Sequence, residues 1–292
     1  MLLDKELIIS LTSYPDRIDT AHQSIQTLLN QTYKADKIIL WLAEEQFPNR
    51  EKELPQQLLD LKASGLIIDW CEDIRSYKKL IPTLRKYPNA YIATADDDIF
   101  YDKNVLKRVV KTYLKNQTNV IAYNAHFVSF NEGKLADYIN WTRTVYNKKP
   151  SYNNFLTSGC MALFYPDCFY KDILRQDLFM QLCSDTDDMW FWAMTVLNDV
   201  KIKIADNCKT TFDTIDGTQE HGLWQTKNKN GNNDNNLKLI LEYYPQLMEK
   251  LEKTDCIYQH SYEKIFSIKN KYYGNKKYKY VTFLGLNKKI KL

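Results

Sequence analysis

Between residues 7 and 94 the chain switches repeatedly between two hydrophobic periods. Leu7 to Leu11 is an apolar, strand-like run, and Arg17 to Asn30 carries Ile18, Ala21, Ile25, Leu28 and Leu29 at helical spacing. Lys37 to Leu42 reads as a second strand. Leu54 to Ala63 reads as a helix opened by Pro55 and ended by Gly65. Leu66 to Trp70 is a third strand. Tyr77 to Lys86 is a helix that Pro82 should bend or break, and Ala90 to Thr94 is a fourth strand. Strands alternating with helices predict an α/β fold built on a parallel sheet. Such sheets bind ligands beyond the carboxyl ends of their strands.

Polar groups gather at those ends. Thr12-Ser13-Tyr14-Pro15 follows the first strand, Trp70-Cys71-Glu72-Asp73 the third, and Asp96-Asp97-Asp98 the fourth. Adjacent carboxylates repel, and burying unpaired charge is costly, so the acid triplet calls for a cation. In an extended segment Asp96 and Asp98 would share one face and Asp97 the other. Two carboxylates plus phosphate oxygens suit Mg2+ or Mn2+. A helix starting near Lys103 would favour acids at its N-terminus, which accounts for one or two of them but not for all three.

Beyond residue 100 the pattern loosens. Val105 to Leu114 reads as a helix, Asn119 to Tyr123 and Met161 to Tyr165 as strands, and residues 131 to 155 as irregular and aromatic. Asp185 to Leu197 is an apolar helix with acids at its start. Residues 225 to 236 form a polar loop, and Leu237 to Leu251 a further helix. In Ser184-Asp185-Thr186-Asp187-Asp188, an acid either caps the helix or acts as a general base; Asp187 and Asp188 are the candidates. His221, beside Gly222, is either structural or a further metal ligand. Lys78 and Lys79 either counter a diphosphate or lie on a solvated helix end. Thr157-Ser158-Gly159-Cys160 is a turn whose glycine permits close backbone approach. No P-loop, dinucleotide fingerprint or nucleophile elbow occurs.

Composition narrows the classes. A net charge of +4 over 292 residues does not suggest a nucleic-acid binder. No run approaches the roughly 18 apolar residues of a membrane span. The N-terminus meets acids too early for a signal peptide. The scattered cysteines (71, 160, 168, 183, 208 and 256) form no CxxC pair, which suits reduced thiols in a cytosol. From Lys264 to Leu292 there are nine lysines and no acid, so the rest of the chain carries about −5 (+4 − 9).

With these residues in view, the chain resembles nucleotide-sugar-dependent glycosyltransferases of the GT-A fold, and most of all the bacterial family-2-like enzymes that build surface polysaccharides. The resemblance spans about residues 6 to 240. It is carried by Ile8 to Arg17, Ser24 to Thr32, Tyr77 to Pro82, Thr94 to Asp98, Ser158-Gly159 and Asp187 to Trp190. It implies a Rossmann-like, mixed but mainly parallel sheet flanked by helices. A catalytic domain would occupy residues 1 to 255, with the donor half at about 1 to 102 and the acceptor half at about 103 to 255. A basic aromatic tail would follow from 256 to 292.

The resemblance also implies roles. Asp96 and Asp98 take the DxD positions at the ribose and the metal, with Asp97 beside them. Thr12, Tyr14 and Arg17 line the nucleotide pocket, and Asp73 and Lys79 lie near the base or phosphates. Asp187 or Asp188 is the base that deprotonates an acceptor hydroxyl, giving inversion at the anomeric carbon. His221 joins the metal. The partners implied are a nucleoside-diphosphate sugar, UDP-linked above all, and a glycan or lipid-linked acceptor. The basic tail suits an anionic membrane surface, making the protein cytoplasmic and peripheral on the inner face. The competing readings are a nucleotidyltransferase acting on sugar phosphates and a non-catalytic glycan- or membrane-surface-binding module. The absence of glycine from Thr12 to Arg17 disfavours the first, and the paired acids disfavour the second.

Overall fold

The computed structural model describes residues 3–142, 149–208, 212–218 and 231–253, and the backbone of 266–273, 276–283 and 286–291. Seven strands form the central sheet: β1 (Leu7–Thr12), β2 (Lys37–Ala43), β3 (Leu66–Cys71), β4 (Tyr91–Thr94), β5 (Asn119–Ala122), β6 (Ala162–Phe164) and β7 (Lys201–Ile204). Their order is β7-β5-β6-β4-β1-β2-β3. All pairings are parallel except those of β6, which runs antiparallel to β4 and β5. This is the mixed, mainly parallel sheet flanked by helices that the family resemblance implies; the residue pattern alone points to a parallel sheet.

Alternation along β1 assigns its two faces. Leu7, Ile9 and Leu11 pack with Ile18, Ala21 and Ile25 of helix α1 (Ile18–Leu29) and with helix α4 (Val105–Lys115). On the other side of the sheet, a second core gathers Tyr77, Ile81, Phe155 and the aromatic residues of α6 (Asp187–Leu197). That helix is buried nearly all round, as its unbroken apolar sequence requires.

The remaining helices refine the sequence reading. The 54–63 helix is α2 (Gln56–Asp60) continued by a 3-10 turn, Leu61–Ser64. Gly65 ends it with φ +102°, a left-handed conformation that glycine adopts without strain. The 77–86 helix is broken in two. A 3-10 turn (Arg75–Lys79) precedes α3 (Ile81–Lys86), and Pro82 sits in the first turn of α3, where its missing N–H costs nothing. Helix α5 is Gln176–Cys183. Helix α7 (Asn232–Tyr243) begins inside the segment expected to be a polar loop. A separate helical run, 246–253, follows Pro245, which cannot continue the hydrogen-bond ladder.

The basic C-terminal segment contains an antiparallel meander of β8 (Phe266–Tyr273), β9 (Lys276–Phe283) and β10 (Leu286–Lys291). The sequence reading placed no strands there. Among the described residues, no helix is long and apolar enough to cross a membrane.

Candidate functional site

In the order β3-β2-β1-β4 the chain moves outward from β1 and then returns to its other side. The loops leaving β1 and β4 therefore flank the point where the topology switches direction, the usual place for a ligand crevice. Contacts across that point are direct. Ser13, just past β1, donates its hydroxyl to Asp97 Oδ2 at 2.5 Å. Because β6 runs the other way, the residues leading into it reach the same rim, and Thr94 Oγ1 donates to the Ser158 carbonyl at 2.9 Å.

The acid triplet does not continue β4 as an extended strand. Residues 97 and 98 form a turn, so the extended alternation does not hold there, although the charge of Asp96 still acts on Asp98. Instead Asp97 and Asp98 share Arg17, whose Nη1 lies 3.0 Å from Asp97 Oδ1 and 2.7 Å from Asp98 Oδ2. Arg17 Nη2 also donates to the Thr218 carbonyl at 3.1 Å, and its guanidinium lies 5.7 Å from the centre of the Tyr14 ring. Burial works against the Arg17 charge, but the two acids outweigh it and hold the guanidinium above its ordinary value. Burial pushes the Asp98 carboxyl up to about 6, and the charge of Asp96 adds to that while Arg17 opposes it. Burial also raises Asp97, against the pull of Arg17 and Ser13.

Asp96 turns towards a different cation, with its Oδ1 against Lys79 Nζ. Its backbone is fixed on two sides: its N–H donates to the Tyr101 hydroxyl at 2.7 Å, and Ser24 Oγ donates to its carbonyl at 2.9 Å. The Tyr101 hydroxyl in turn donates to the Gly159 carbonyl. A Cβ on Gly159 would fall 1.7 Å from Asp96 Oδ2, so this position tolerates only glycine while Asp96 stays where it is.

Lys79 also lies 3.3 Å from Asp187 Oδ2, and its side chain is only 7% exposed. Burial opposes its charge, yet Asp187, Asp96 and Asp188 together hold its pKa well above the ordinary lysine value. Asp187 and Asp188 open α6. Asp188 Oδ1 accepts from the Ser158 N–H at 2.8 Å and from the Ser158 hydroxyl. Burial, followed by repulsion from Asp187, pushes the Asp188 carboxyl up to about 7, while Lys79 and Ser158 pull the other way.

The structure thus brings Arg17, Lys79, Asp96, Asp97, Asp98, Asp187 and Asp188 into one connected rim, with Tyr14 beside Arg17. It does not join all the residues singled out from sequence. The Thr12 hydroxyl donates to the Trp41 carbonyl at 2.8 Å, which secures the end of β2. Asp73 accepts from Lys78 Nζ at 2.7 Å and from Gln46 at 2.9 Å, a separate cluster beyond β3. Lys78 is therefore buried rather than on a solvated helix end. His221 lies outside the described residues. Ser13 and Ser158 link the rim but were not assigned site roles from sequence. A serine beside a strand end was the only signal, and the partner acids are 84 and about 30 residues away.

Among the described residues, no three His, Cys, Asp or Glu side chains converge as a closed metal cage. The donor set nevertheless fits a divalent ion held partly by substrate. Crowded carboxylate oxygens, with Asp98 raised by burial and then by its neighbour Asp96, are hard ligands, and Mg2+ commonly takes one or two such groups plus phosphate oxygens.

No family model matches the chain, and no curated protein matches it. Solved structures align loosely. A mannosyltransferase from Pyrobaculum calidifontis, in complex with GDP-Man and Mn2+, aligns at 10% identity and TM-score 0.46, over 76% of this chain and 59% of that one. S. aureus TarS 1-349 aligns at 10% identity and TM-score 0.49, over 98% of both chains. A 4-diphosphocytidyl-2C-methyl-D-erythritol synthase aligns at 9% identity and TM-score 0.42, over 73% of this chain and 94% of that one. These alignments are too loose to transfer a residue or an activity, and the first spans less than two thirds of its partner.

Proposed function

We propose that the chain is a metal-dependent glycosyltransferase that moves a sugar from a nucleoside-diphosphate sugar, UDP-linked above all, to a hydroxyl of a glycan or lipid-linked acceptor, with inversion. One observation carries this reading. The carboxylates beyond β4 and the raised carboxyl of Asp188 on α6 share one rim at the topological switch point, bridged by buried Lys79. A general base works best with a pKa near the working pH, and about 7 meets that need.

The roles follow from placement. Tyr14 and Arg17, at the end of β1, would line the nucleotide pocket, with Arg17 also neutralising Asp97 and Asp98. Asp96 and Asp98, with His221 as a candidate third ligand, would hold Mn2+ or Mg2+. When bound, such an ion supplies charge neutralisation to the leaving nucleoside diphosphate. Asp188 would take the acceptor proton. Both of its hydrogen bonds from Ser158 fall on Oδ1, which leaves Oδ2 to receive it. Donors aimed at one carboxylate oxygen orient the other, which favours Asp188 over Asp187 as the base. Attack from the face opposite the leaving diphosphate then inverts the anomeric carbon, by the stereochemical logic of single displacement.

A role in bacterial surface-polysaccharide synthesis, with residues 1–255 as the catalytic domain, belongs to the same proposal. So does a cytoplasmic site on the inner membrane face, supported by the nine lysines between 264 and 292. The testing experiment is a panel of UDP-, GDP- and dTDP-sugars with Mn2+, assayed for binding, donor hydrolysis and transfer. Metal-dependent turnover of one member is expected. Neither turnover nor Mn2+-dependent nucleotide binding would leave a non-catalytic binding module, and pyrophosphate release from sugar phosphates would point to a nucleotidyltransferase.

A further inference from the structure

Two acid groups from distant parts of the chain meet one buried cation. Lys79 closes the 3-10 turn that precedes α3. That turn is docked on the chain just before α6: the Tyr77 hydroxyl donates to the Cys183 carbonyl at 2.7 Å, and the Tyr77 ring stacks on Phe179 with centroids 4.2 Å apart. Lys79 therefore approaches Asp187 from a support already fixed to the segment that carries Asp187.

Asp187 depends on this approach. Ser158 Oγ lies 3.3 Å from Asp187 Oδ2 but makes a shorter contact with Asp188 Oδ1. A hydroxyl has one proton to give, and the shorter contact takes it. The Lys79 ammonium, 3.3 Å from Asp187 Oδ2, is then the group that balances the Asp187 charge in a buried setting. The same ammonium touches Asp96 on the donor side. A lysine directed at a bound diphosphate would project into the crevice. This one is enclosed, with Asp96, Asp187 and Asp188 around it.

We propose that Lys79 is a positioning residue. Acting through Asp187, it fixes the first turn of α6 so that Asp188 keeps its place on Ser158, and its contact with Asp96 sets that turn in register with the donor-side acids. This inference rests on Asp188 being the base of the proposed transfer.

The test uses the full chain, with UDP and Mn2+ as the binding probe and the sugar-nucleotide panel for turnover. Lys79→Met should bind UDP with Mn2+ within about threefold of the parent while kcat falls about 100-fold. Lys79→Arg should recover kcat to within about tenfold of the parent, since it keeps the charge. Lys79→Met combined with Asp187→Asn should be no slower than the slower single variant, because the two act as a unit. A UDP affinity about tenfold weaker with kcat unchanged at saturating donor would make Lys79 a phosphate ligand and overturn the proposal. If no panel member is turned over by the parent, the transferase reading fails, and the link between Lys79 and Asp187 is then judged by thermal unfolding. Lys79→Met should lower the Tm, and adding Asp187→Asn should restore part of the loss by removing the stranded charge. Losses that simply add would overturn the link as well.

Discussion

The rim holds two groups of aspartates, and they are stabilised differently. Beyond β4, Asp97 and Asp98 share a guanidinium from the β1–α1 connection, and Asp96 has the ammonium of Lys79. At the start of α6 the supply is leaner: Asp187 shares that same ammonium, whose charge also acts on Asp188, and Asp188 is hydrogen-bonded by the N–H and hydroxyl of Ser158. Burial, then a neighbouring carboxylate, raises both Asp98 and Asp188, to about 6 and about 7; Arg17 opposes the rise at Asp98, and Lys79 and Ser158 oppose it at Asp188. The two groups thus differ in which cation answers them: a guanidinium shared by two acids beyond β4, and an ammonium shared across the rim at α6.

Replacing the leaner-served acid should have the largest effect. Asp188→Asn is expected to lower kcat by about 10²–10⁴-fold, the usual contribution of a general base, while sparing UDP binding with Mn2+. If Asp187→Asn is the inactive variant and Asp188→Asn retains turnover, the base lies one residue earlier and the comparison above is assigned to the wrong acid. Next in size, Asp98→Asn should weaken Mn2+-dependent UDP binding by at least the roughly 10–100-fold that loss of an outer-shell partner costs a metal site. Calorimetry in the presence and absence of chelator would show it, and full activity with chelator present would remove the metal from the scheme.

The pH profile gives a finer distinction. With Asp188 at about 7, kcat should climb with pH and level off above that value; a flat profile from about pH 5 to 8 would exclude Asp188 as the base. Stability should move the other way. An unfolded aspartate releases its proton near 4, while the folded Asp188 and Asp98 hold theirs to about 7 and about 6. Between those limits the folded state binds more protons, so stability falls as pH rises through this window. Urea midpoints from about pH 4.5 to 7.5 would reveal it, and Asp188→Asn should flatten the upper part of the slope.

Gly159→Ala should have the smallest effect. The added Cβ would collide with Asp96 Oδ2, and relieving the clash by moving Asp96 should cost about 1–3 kcal/mol, measurable as a lower denaturant midpoint. Because the clash falls on Asp96 and not on Asp97 or Asp98, the variant separates the Lys79-bound acid from the Arg17-bound pair. An unchanged midpoint would mean that Asp96 moves freely and that its place against Gly159 is not enforced.

Much of the sheet was legible in the sequence. The first four strands lie within a residue or so of their expected bounds, because each is a compact apolar run between polar turns. Helices were less legible where proline decided their limits, at Pro82 and again at Pro245. In the candidate site, the acids were visible at strand and helix ends, but their partners were not. Arg17 is 80 residues from Asp97, and Ser158 is 30 from Asp188. Local spacing contains no signal for such pairings. The expectation that Asp96 and Asp98 share a face assumed an extended backbone, and the turn at 97–98 removed that premise.

By itself, the sequence determined the alternation of strands and helices, and with it a mainly parallel sheet whose polar rim carries the aspartates. These are local properties, set by side-chain periodicity and turn residues. Tertiary structure decided the rest. It set β6 antiparallel, which brings Ser158 and Gly159 to that rim, and it selected which buried cation meets which acid. Those choices depend on contacts between segments far apart in the chain, where the cost of leaving a buried charge unpaired selects the arrangement.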